Sequence, residues 1–229
     1  MTKTKIVVSF SGKDSTLALH DLMHSDEFEV DSLMATVTSG FDRTSIHGVR
    51  EELLVAQANS IGLPLRIVRI PQKCSNEIYN EIMAEAMSKM KVDGINHIAF
   101  GDLFLEDIRD YRENMLKPTG VTPLFPLWGF NTDELLHRFL SLGYKTVITC
   151  VDLTKLSEEF SGKIIENGFM DQLPKEVDPC GEYGEYHSFV FEGPIFKSTI
   201  NFTLGEKKVT PDMFTGKDRF CYTDLIPDE

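Results

Sequence analysis

Hydrophobic residues in the first half of the chain occur in short runs, separated by longer segments in which apolar residues recur at helical spacing. Four of the short runs predict buried strands: Lys5–Phe10, Val30–Val37, Leu65–Ile70 and Ile95–Phe100. The segments between them predict helices that begin near Thr16, Val49 and Ser75. Because parallel neighbours need crossover connections, this alternation predicts an open parallel sheet with helices on both faces.

The pattern changes in the second half of the chain. A charged helix is predicted at Leu103–Lys117, and the Pro-rich stretch Thr122–Trp128 is expected at the edge of the first domain. Beyond it the pattern predicts two helices and five strands: Asn131–Leu142, Leu156–Phe169, Lys145–Val151, Ser188–Phe191, Lys197–Leu204, Lys207–Val209 and Phe220–Leu225. We therefore expect a doubly wound parallel α/β domain at residues 1–127 and a smaller C-terminal α+β domain at residues 128–229.

Composition restricts the class of protein. A hydrophobic content of 41% and a charged content of 26% are ordinary for a globular protein. The net charge of −13 opposes nonspecific attraction to a polyanion, so a nucleic-acid partner is not expected. Four dispersed cysteines without a Cys-x-x-Cys pair argue against a zinc site. No membrane-length apolar run and no signal-peptide pattern is found, so we expect a cytoplasmic protein without a membrane partner.

The first strand is followed by a tight polar turn, Ser11-Gly12-Lys13-Asp14-Ser15, and then by the start of a helix. A glycine lets the backbone approach an oxyanion, successive N–H groups point toward it, and the helix adds the positive end of its dipole. The turn therefore predicts a phosphate site. A Walker A loop is excluded, because no glycine precedes Gly12 and an aspartate follows the lysine.

Ligands of doubly wound sheets bind beyond the carboxyl ends of the strands. Those ends are Ser11-Gly12, Thr38-Ser39-Gly40 and Gly101-Asp102, so three loops are expected to converge on one site. The charged helix begins next to the last of these loops. From there Arg109 and Arg112 would reach phosphate oxygens or a substrate carboxylate, unless they belong to an ordinary solvated helix face.

The Ser11–Ser15 turn resembles the pyrophosphate loop (PP-loop) of the N-type ATP pyrophosphatases. Two further stretches sharpen the resemblance: Phe100-Gly101-Asp102 with Arg109, Glu113 and Pro123–Trp128, and the run from Asp178 to Val190, DPCGEYGEYHSFV. Together they resemble the diphthine–ammonia ligase family over essentially the whole chain, and the last stretch resembles its prokaryotic members. The resemblance implies a Rossmann-like PP-loop domain of the HUP type.

The same resemblance implies an AMP-forming amide ligase. ATP would adenylate the carboxylate of diphthine, a modified histidine of elongation factor two, and ammonia would displace AMP. In bacteria, which do not make diphthamide, it implies a different small-molecule carboxylate, for example in cobalamin salvage. ATP, Mg²⁺, ammonium and a carboxylate are thus the expected partners. The oligomeric state stays open, a homodimer included.

The resemblance also implies roles for individual residues. The nucleotide would be bound by the loop, by the second strand and by residues that follow the second and fourth strands: Ser9, Ser11, Gly12, Lys13, Asp14, Ser15, Met34, Ala35, Thr36, His47, Gly48, Gly101 and Asp102. Asp14 is the expected Mg²⁺ ligand, and Lys13 would supply positive charge or lie in solvent. Lys13, Asp14, Arg109, Glu182 and Glu185 form the expected catalytic set.

Within that set, Glu182 and Glu185 would bind a cationic substrate group such as the trimethylammonium of diphthine, and Tyr186 would add a cation–π face. Purely structural roles stay open for several of these residues. Asp14 would equally serve as a helix cap, and Met34–Thr36 as core residues. His47 would equally lie at the surface, and the Glu-rich loop would be a surface turn.

Three rival functions are weighed against the ligase. A tRNA-modifying pyrophosphatase such as a thiolase needs sulfur-carrying cysteines and a basic face, and neither is apparent. A sulfonucleotide reductase needs a reactive cysteine in a mobile tail, whereas Cys221 lies in a strand-like stretch. A non-enzymatic adenine-nucleotide sensor stays open, and it predicts binding without release of pyrophosphate.

Overall fold

The computed structural model describes residues 2–212 and 216–228. The first of two sheets contains β1 (Thr4–Ser9), β2 (Phe28–Thr38), β3 (Arg43–Thr44), β4 (Leu65–Ile70), β5 (His97–Ala99) and β6 (Thr122–Leu124). Five strands are parallel in the order β4-β2-β1-β5-β6, and β3 runs antiparallel to the end of β2. This confirms the predicted parallel sheet. The Pro-rich stretch contributes β6, which was not predicted; Pro123 is tolerated there because β6 is an edge strand.

Helices cover both faces of this sheet: α1 (Lys13–Met23), α2 (Glu51–Ile61), α3 (Asn76–Val92) and α4 (Glu106–Leu116). Adjacent residues of β1 point in opposite directions, as a strand requires. Val7 packs with methionines of α3 and α4, whereas Ile6 and Val8 pack with leucines of α1. Ser75 caps the start of α3, where its side chain accepts a hydrogen bond from the backbone N–H of Ile78.

The strand order defines where a ligand would bind. From β1 the chain proceeds outward through β2 to β4, and then returns to the other side of β1 with β5 and β6. The order therefore reverses between β1 and β5. A crevice opens at such a switch point beyond the carboxyl ends of the strands. Gly12 follows β1 and Gly101 follows β5, so both glycines lie at this crevice.

The second sheet is antiparallel throughout and follows α5 (Thr132–Ser141). It contains β7 (Lys145–Asp152), β8 (Ile164–Ile165), β9 (Tyr186–Glu192), β10 (Phe202–Pro211) and β11 (Asp218–Pro227). Strand β7 pairs with β8, β9 and β11, and β10 forms a hairpin with β11. The smaller α+β unit expected in this half of the chain is therefore present.

Two predictions for this half are wrong. The segment Leu156–Phe169 is not a helix but a short 3-10 turn at Glu158–Phe160 followed by β8. Its glycines Gly162 and Gly168 have positive φ angles of 85° and 83°, which interrupt a helix. The predicted strands Lys197–Leu204 and Lys207–Val209 are one strand, β10, with an irregularity at Gly205-Glu206. Residues 197 and 198 instead bond to Ser60 of α2.

Hydrophobic clusters join the two sheets. A single cluster joins Leu17 and Leu22 of α1 to Phe139 of α5 and Ile148 of β7. A second cluster joins α2 to β9 and β11. Because these clusters contain residues from both halves of the chain, packing does not mark where one domain ends. The predicted domain boundary between residues 127 and 128 stays a prediction.

The second sheet also fixes the segment that connects β3 to α2. Asp224 of β11 accepts hydrogen bonds from Arg43 at 2.7 Å and from Arg50 at 2.6 and 3.1 Å. These bonds, above all those from Arg50, hold the pKa of Asp224 well below its usual value. The ring of Tyr222 lies so close to Gly48 that a Cβ there would come within 2.7 Å of it. The segment from residue 43 to 50 is therefore fastened to β11.

Candidate active site

The PP-loop is organised by one side chain. Ser15 Oγ accepts hydrogen bonds from the backbone N–H groups of Ser11 and Gly12, at 2.9 and 3.1 Å, and donates to the Gly12 carbonyl at 2.9 Å. Thr16 donates to the same carbonyl through its N–H and its hydroxyl. Two of the N–H groups expected to face an anion are thus bonded inside the loop. Ser15 gives the loop its shape, in addition to its predicted part in nucleotide binding.

Lys13 and Asp14 form a close ion pair at the start of α1. Lys13 Nζ lies 2.9 and 2.8 Å from the two carboxylate oxygens of Asp14, and only 3% of the lysine is exposed. Burial opposes the charge of Lys13, but Asp14 holds its pKa above the usual value. Burial also raises the pKa of Asp14, and Lys13 opposes that rise. The alternative that Lys13 lies in solvent is therefore wrong.

Residues 178–188 complete the surroundings of the loop. Lys13 Nζ donates to the carbonyl of Cys180 and lies 5.1 Å above the ring of Tyr186. The N–H of Lys13 donates to Ser188 Oγ at 3.3 Å. Tyr186 is itself buried, so its ring faces Lys13 rather than a substrate cation. Ser188 is absent from the predicted site residues; its only sequence signal is that it lies within the run from Asp178 to Val190.

Glu182 links this segment to the turn after β5. Its Oε1 accepts a hydrogen bond from the Leu103 N–H at 2.8 Å. Burial raises the pKa of Glu182 to about 7; this hydrogen bond opposes the rise, and the nearby charges of Asp14 and Asp102 add to it. A carboxylate balanced between its two protonation states near neutral pH is typical of functional sites. The structure therefore brings Glu182 to the crevice, as predicted from the motif.

Glu185 is placed differently. It is 1% exposed, and its Oε1 accepts a hydrogen bond from the Asp178 N–H at 3.0 Å. Its Oε2 is buried without a hydrogen-bond partner among the described residues. Asp178 in turn accepts hydrogen bonds from the N–H groups of Cys180 and Glu182 and from the Thr132 hydroxyl. The Glu-rich stretch is thus an internally bonded structure and not a loose surface turn, and the catalytic role of Glu185 stays a prediction.

Gly101 and Asp102 lie at the switch point, as predicted. A Cβ on Gly101 would lie 2.6 Å from the Ser15 nitrogen, so only glycine lets β5 end this close to α1. Asp102 forms a bidentate ion pair with Arg112, at 2.5 and 3.0 Å. The two arginines of α4 therefore have separate partners. Arg109 bonds to Glu113 at 2.8 Å and stacks over Trp128, which leaves its role toward phosphate or substrate a prediction.

The residues expected around the adenine lie where β1 stops. Ser9 pairs with Met34, and the Met34 carbonyl accepts a hydrogen bond from the Phe10 N–H at 2.8 Å. Ala35 and Thr36 continue β2 beyond the end of β1. The structure thus brings this segment next to the PP-loop. Its contact with adenine stays a prediction.

His47 lies directly against the PP-loop, and Gly48 follows it beneath Tyr222. A Cβ on Gly12 would come within 2.7 Å of the His47 ring, and His47 Nδ1 lies 3.0 Å from the Ser188 carbonyl oxygen. The ring of His187, a residue absent from the predicted set, lies 4.8 Å away between centroids. His47 is therefore partly buried, with its ring between the PP-loop and β9, and its role in nucleotide binding stays a prediction.

No three His, Cys, Asp or Glu side chains are grouped to hold a metal by themselves within residues 2–212 and 216–228. Mg²⁺ in nucleotide sites takes only one or two carboxylates and completes its shell with phosphate oxygens and water. The partly exposed Asp14 carboxylate fits that chemistry. The donor set therefore suits a Mg²⁺ that arrives with a nucleotide.

Buried cysteines bear on the rival functions that need a reactive thiol. Burial raises the pKa of the Cys150 thiol to about 12 and also raises that of Cys180, so neither is activated as a nucleophile. In the described part of the chain, no helix has both the length and the apolar character needed to cross a membrane.

Several known proteins are similar to this chain in sequence. The curated relatives include the diphthine–ammonia ligases of Homo sapiens (28% identity over 64% of this chain and 60% of the human protein) and Rattus norvegicus (24% over 75% and 66%). The chain thus spans about 60% of the human protein's length. A solved structure described as a predicted subunit of a tRNA methyltransferase from Methanocaldococcus jannaschii is 17% identical, with a TM-score of 0.42 over 69% of this chain and 84% of that chain. That likeness is too low to support an argument.

Two family profiles match consecutive parts of the chain. The diphthamide synthase N-terminal domain matches residues 2–123, which include the PP-loop and the turn at Gly101. The diphthamide synthase C-terminal domain matches residues 131–216, which include Glu182 and His187. The first match alone covers more than half of the 229 residues. This chain therefore belongs to the diphthamide synthase family.

Proposed function

We propose that this protein is an ATP-dependent ligase that converts a substrate carboxylate into a primary amide and releases AMP and pyrophosphate. The observation that carries the proposal is the convergence of three segments on one crevice. Lys13 of the PP-loop bonds to the Cys180 carbonyl, and Glu182 of the same C-terminal segment bonds to the turn that follows Gly101. These contacts support a nucleotide site with a second, carboxylate-bearing site beside it.

The reaction has two steps. A carboxylate oxygen of the substrate attacks the α-phosphorus of ATP, and pyrophosphate leaves. Ammonia then attacks the acyl carbon, AMP leaves, and one proton passes to solvent. The loop between Ser11 and Ser15 would hold the pyrophosphate portion, with the Lys13 charge beside it. Mg²⁺ bound with ATP would contact Asp14 and would disperse the phosphate charge.

The residues around Glu182 suit a cationic substrate. Its neighbour Tyr183 is 66% exposed and meets the ring of Phe104 edge to face, with 5.3 Å between centroids. Glu182 and Leu103 directly precede Tyr183 and Phe104 in the chain, so the hydrogen bond between Glu182 and Leu103 lies next to this aromatic pair. A carboxylate beside aromatic rings is the usual environment for a quaternary ammonium group. Diphthine appears in the names of the curated relatives, so it is the first substrate to test.

The substrate assignment is tested with elongation factor two that carries diphthine, ATP, Mg²⁺ and ammonium labelled with nitrogen-15. The matched control is the same factor without the modified histidine. We expect the label to enter the diphthine side chain, detected by peptide mass spectrometry, and the control to stay unlabelled. Label in a small-molecule acid and none in diphthine would keep the ligase and overturn the diphthine assignment. No labelled amide with any acid tested would overturn both.

A further inference from the structure

The His47 ring lies against the Ser11–Ser15 loop. Its Cε1 atom is the nearest neighbour of a Cβ built on Gly12, at 2.7 Å. Since Nε2 is covalently bonded to Cε1, Nε2 also lies beside the loop that would hold the phosphates. The bonds of Asp224 to Arg43 and Arg50, on either side of His47 in the chain, keep the ring in this place.

The hydrogen bond to Ser188 fixes which nitrogen carries the proton. His47 Nδ1 lies 3.0 Å from the Ser188 carbonyl oxygen, and a carbonyl oxygen can only accept. Nδ1 is therefore the donor. In the neutral ring Nε2 then carries a lone pair. Free protein thus presents an acceptor, and not a donor, to the phosphate site.

The surroundings keep the ring neutral when no phosphate is bound. Burial lowers the pKa of His47 to about 4; the bond to Ser188 opposes this effect and the charge of Lys13 adds to it. Burial also lowers the pKa of His187, as do His47 and Lys13. The charged groups that act on His47 in the described chain are thus Lys13 from α1 and, when protonated, His187 from β9. Two protonated rings with centroids 4.8 Å apart would repel each other, so the pair holds at most one added proton.

A polyanion bound beside Gly12 raises the pKa of His47, because nearby negative charge favours the imidazolium form over the neutral ring. We propose that His47 takes up one proton from solvent when the pyrophosphate portion of ATP binds, and then donates an Nε2–H hydrogen bond to a phosphate oxygen. The Nδ1–H bond to Ser188 is kept throughout. This inference rests on the proposed function in one respect, namely that the phosphates bind at the Ser11–Ser15 loop.

Proton uptake is measured by titration calorimetry with inorganic pyrophosphate and with ATP, both with Mg²⁺, in two buffers of different ionisation enthalpy at pH 7. The variant is His47→Asn, because the asparagine N–H₂ can still donate to Ser188 but cannot titrate in this range. The control is His137→Asn, at an exposed position of α5. Wild type and control should take up about one proton more than His47→Asn, and pyrophosphate should bind the variant at least about tenfold more weakly.

Nitrogen-15 imidazole spectra of wild type give a readout that needs no variant. On addition of pyrophosphate, the Nε2 resonance of one histidine should move from the unprotonated to the protonated range. ATP binding with equal proton uptake in wild type and His47→Asn would overturn this inference and leave the ligase proposal standing. Failure of wild type to bind either ligand would overturn both.

Discussion

Gly101→Ala should weaken ATP binding by about 10- to 100-fold. The added Cβ would lie 2.6 Å from the Ser15 nitrogen and 2.8 Å from the Asp14 carbonyl carbon, closer than real Cβ atoms come to such neighbours. These are backbone atoms of the first turn of α1, so they cannot rotate aside as a side chain would. Overpacking of this kind costs about 1 to 3 kcal/mol of free energy. Where this cost applies to the ATP-bound conformation, it corresponds to a loss of ATP affinity of about 10- to 100-fold.

The matched control is Gly205→Ala in the β10–β11 hairpin. The three nearest atoms to a Cβ there are side-chain atoms of Ile226 and Asp224, at 3.0 to 3.2 Å, which need to move by only a few tenths of an ångström. We expect its ATP affinity to equal that of wild type. Calorimetric titration with ATP and Mg²⁺ measures both variants, and circular dichroism confirms that they are folded. Wild-type ATP affinity in folded Gly101→Ala would show that the switch point between β1 and β5 is not the nucleotide site.

Glu182→Gln should reduce turnover by roughly 100-fold while the dissociation constant of ATP stays within about twofold of wild type. The Glu182 carboxylate bonds to the Leu103 N–H, on the side of the crevice where we propose that the substrate cation binds. Its loss would remove the partner of that cation, and losing one partner of a buried charge pair costs about 2 to 5 kcal/mol. Glu176→Gln is the control, because Glu176 is an exposed glutamate that lies six residues before Glu182 in the chain. Loss of ATP affinity in Glu182→Gln would instead place Glu182 on the nucleotide side.

The same variant should change the pH dependence of stability. The pKa of Glu182 is raised to about 7 in the folded protein from a usual value near 4.5. The folded state therefore binds more protons between these values, and wild type loses stability as the pH rises from about 4.5 to 7. Glutamine mimics the protonated form, so Glu182→Gln should match wild type at pH 4 and exceed it by about 1 to 3 kcal/mol at pH 8. Chemical unfolding at both pH values measures this, and equal stability at pH 8 would contradict it.

Local sequence patterns were sufficient for the part of the fold that positions the nucleotide. The run of β-branched residues before Ser11, the turn and the helix start are neighbours in the chain, so their geometry follows from local preferences. The alternation of strands and helices then required a parallel sheet, and the positions of Gly12 and Gly101 at its carboxyl edge followed from that. The position of Glu182 at the crevice was predicted from the run Asp178–Val190 that contains it.

Contacts between distant residues could not be predicted in this way. The bond from the Lys13 N–H to Ser188 joins positions 175 residues apart, and only the docking of β9 onto the PP-loop brings them together. The burial of Lys13 beneath Tyr186 and the inward turn of Glu185 depend on the same docking. In Leu156–Phe169, apolar spacing favoured a helix, but two glycines with positive φ and pairing with β7 prevailed.

We propose that the crevice between β1 and β5 supports adenylation of a carboxylate. Adenylation breaks the bond between the α- and β-phosphates, whereas an ordinary ATPase breaks the bond between the β- and γ-phosphates. The most direct measurement incubates the protein with Mg²⁺, ammonium, a carboxylate substrate and ATP labelled at the α-phosphate, and separates the nucleotide products. We predict labelled AMP, formed only when the acid is present, with an equal amount of pyrophosphate. Labelled ADP as the product would contradict the account.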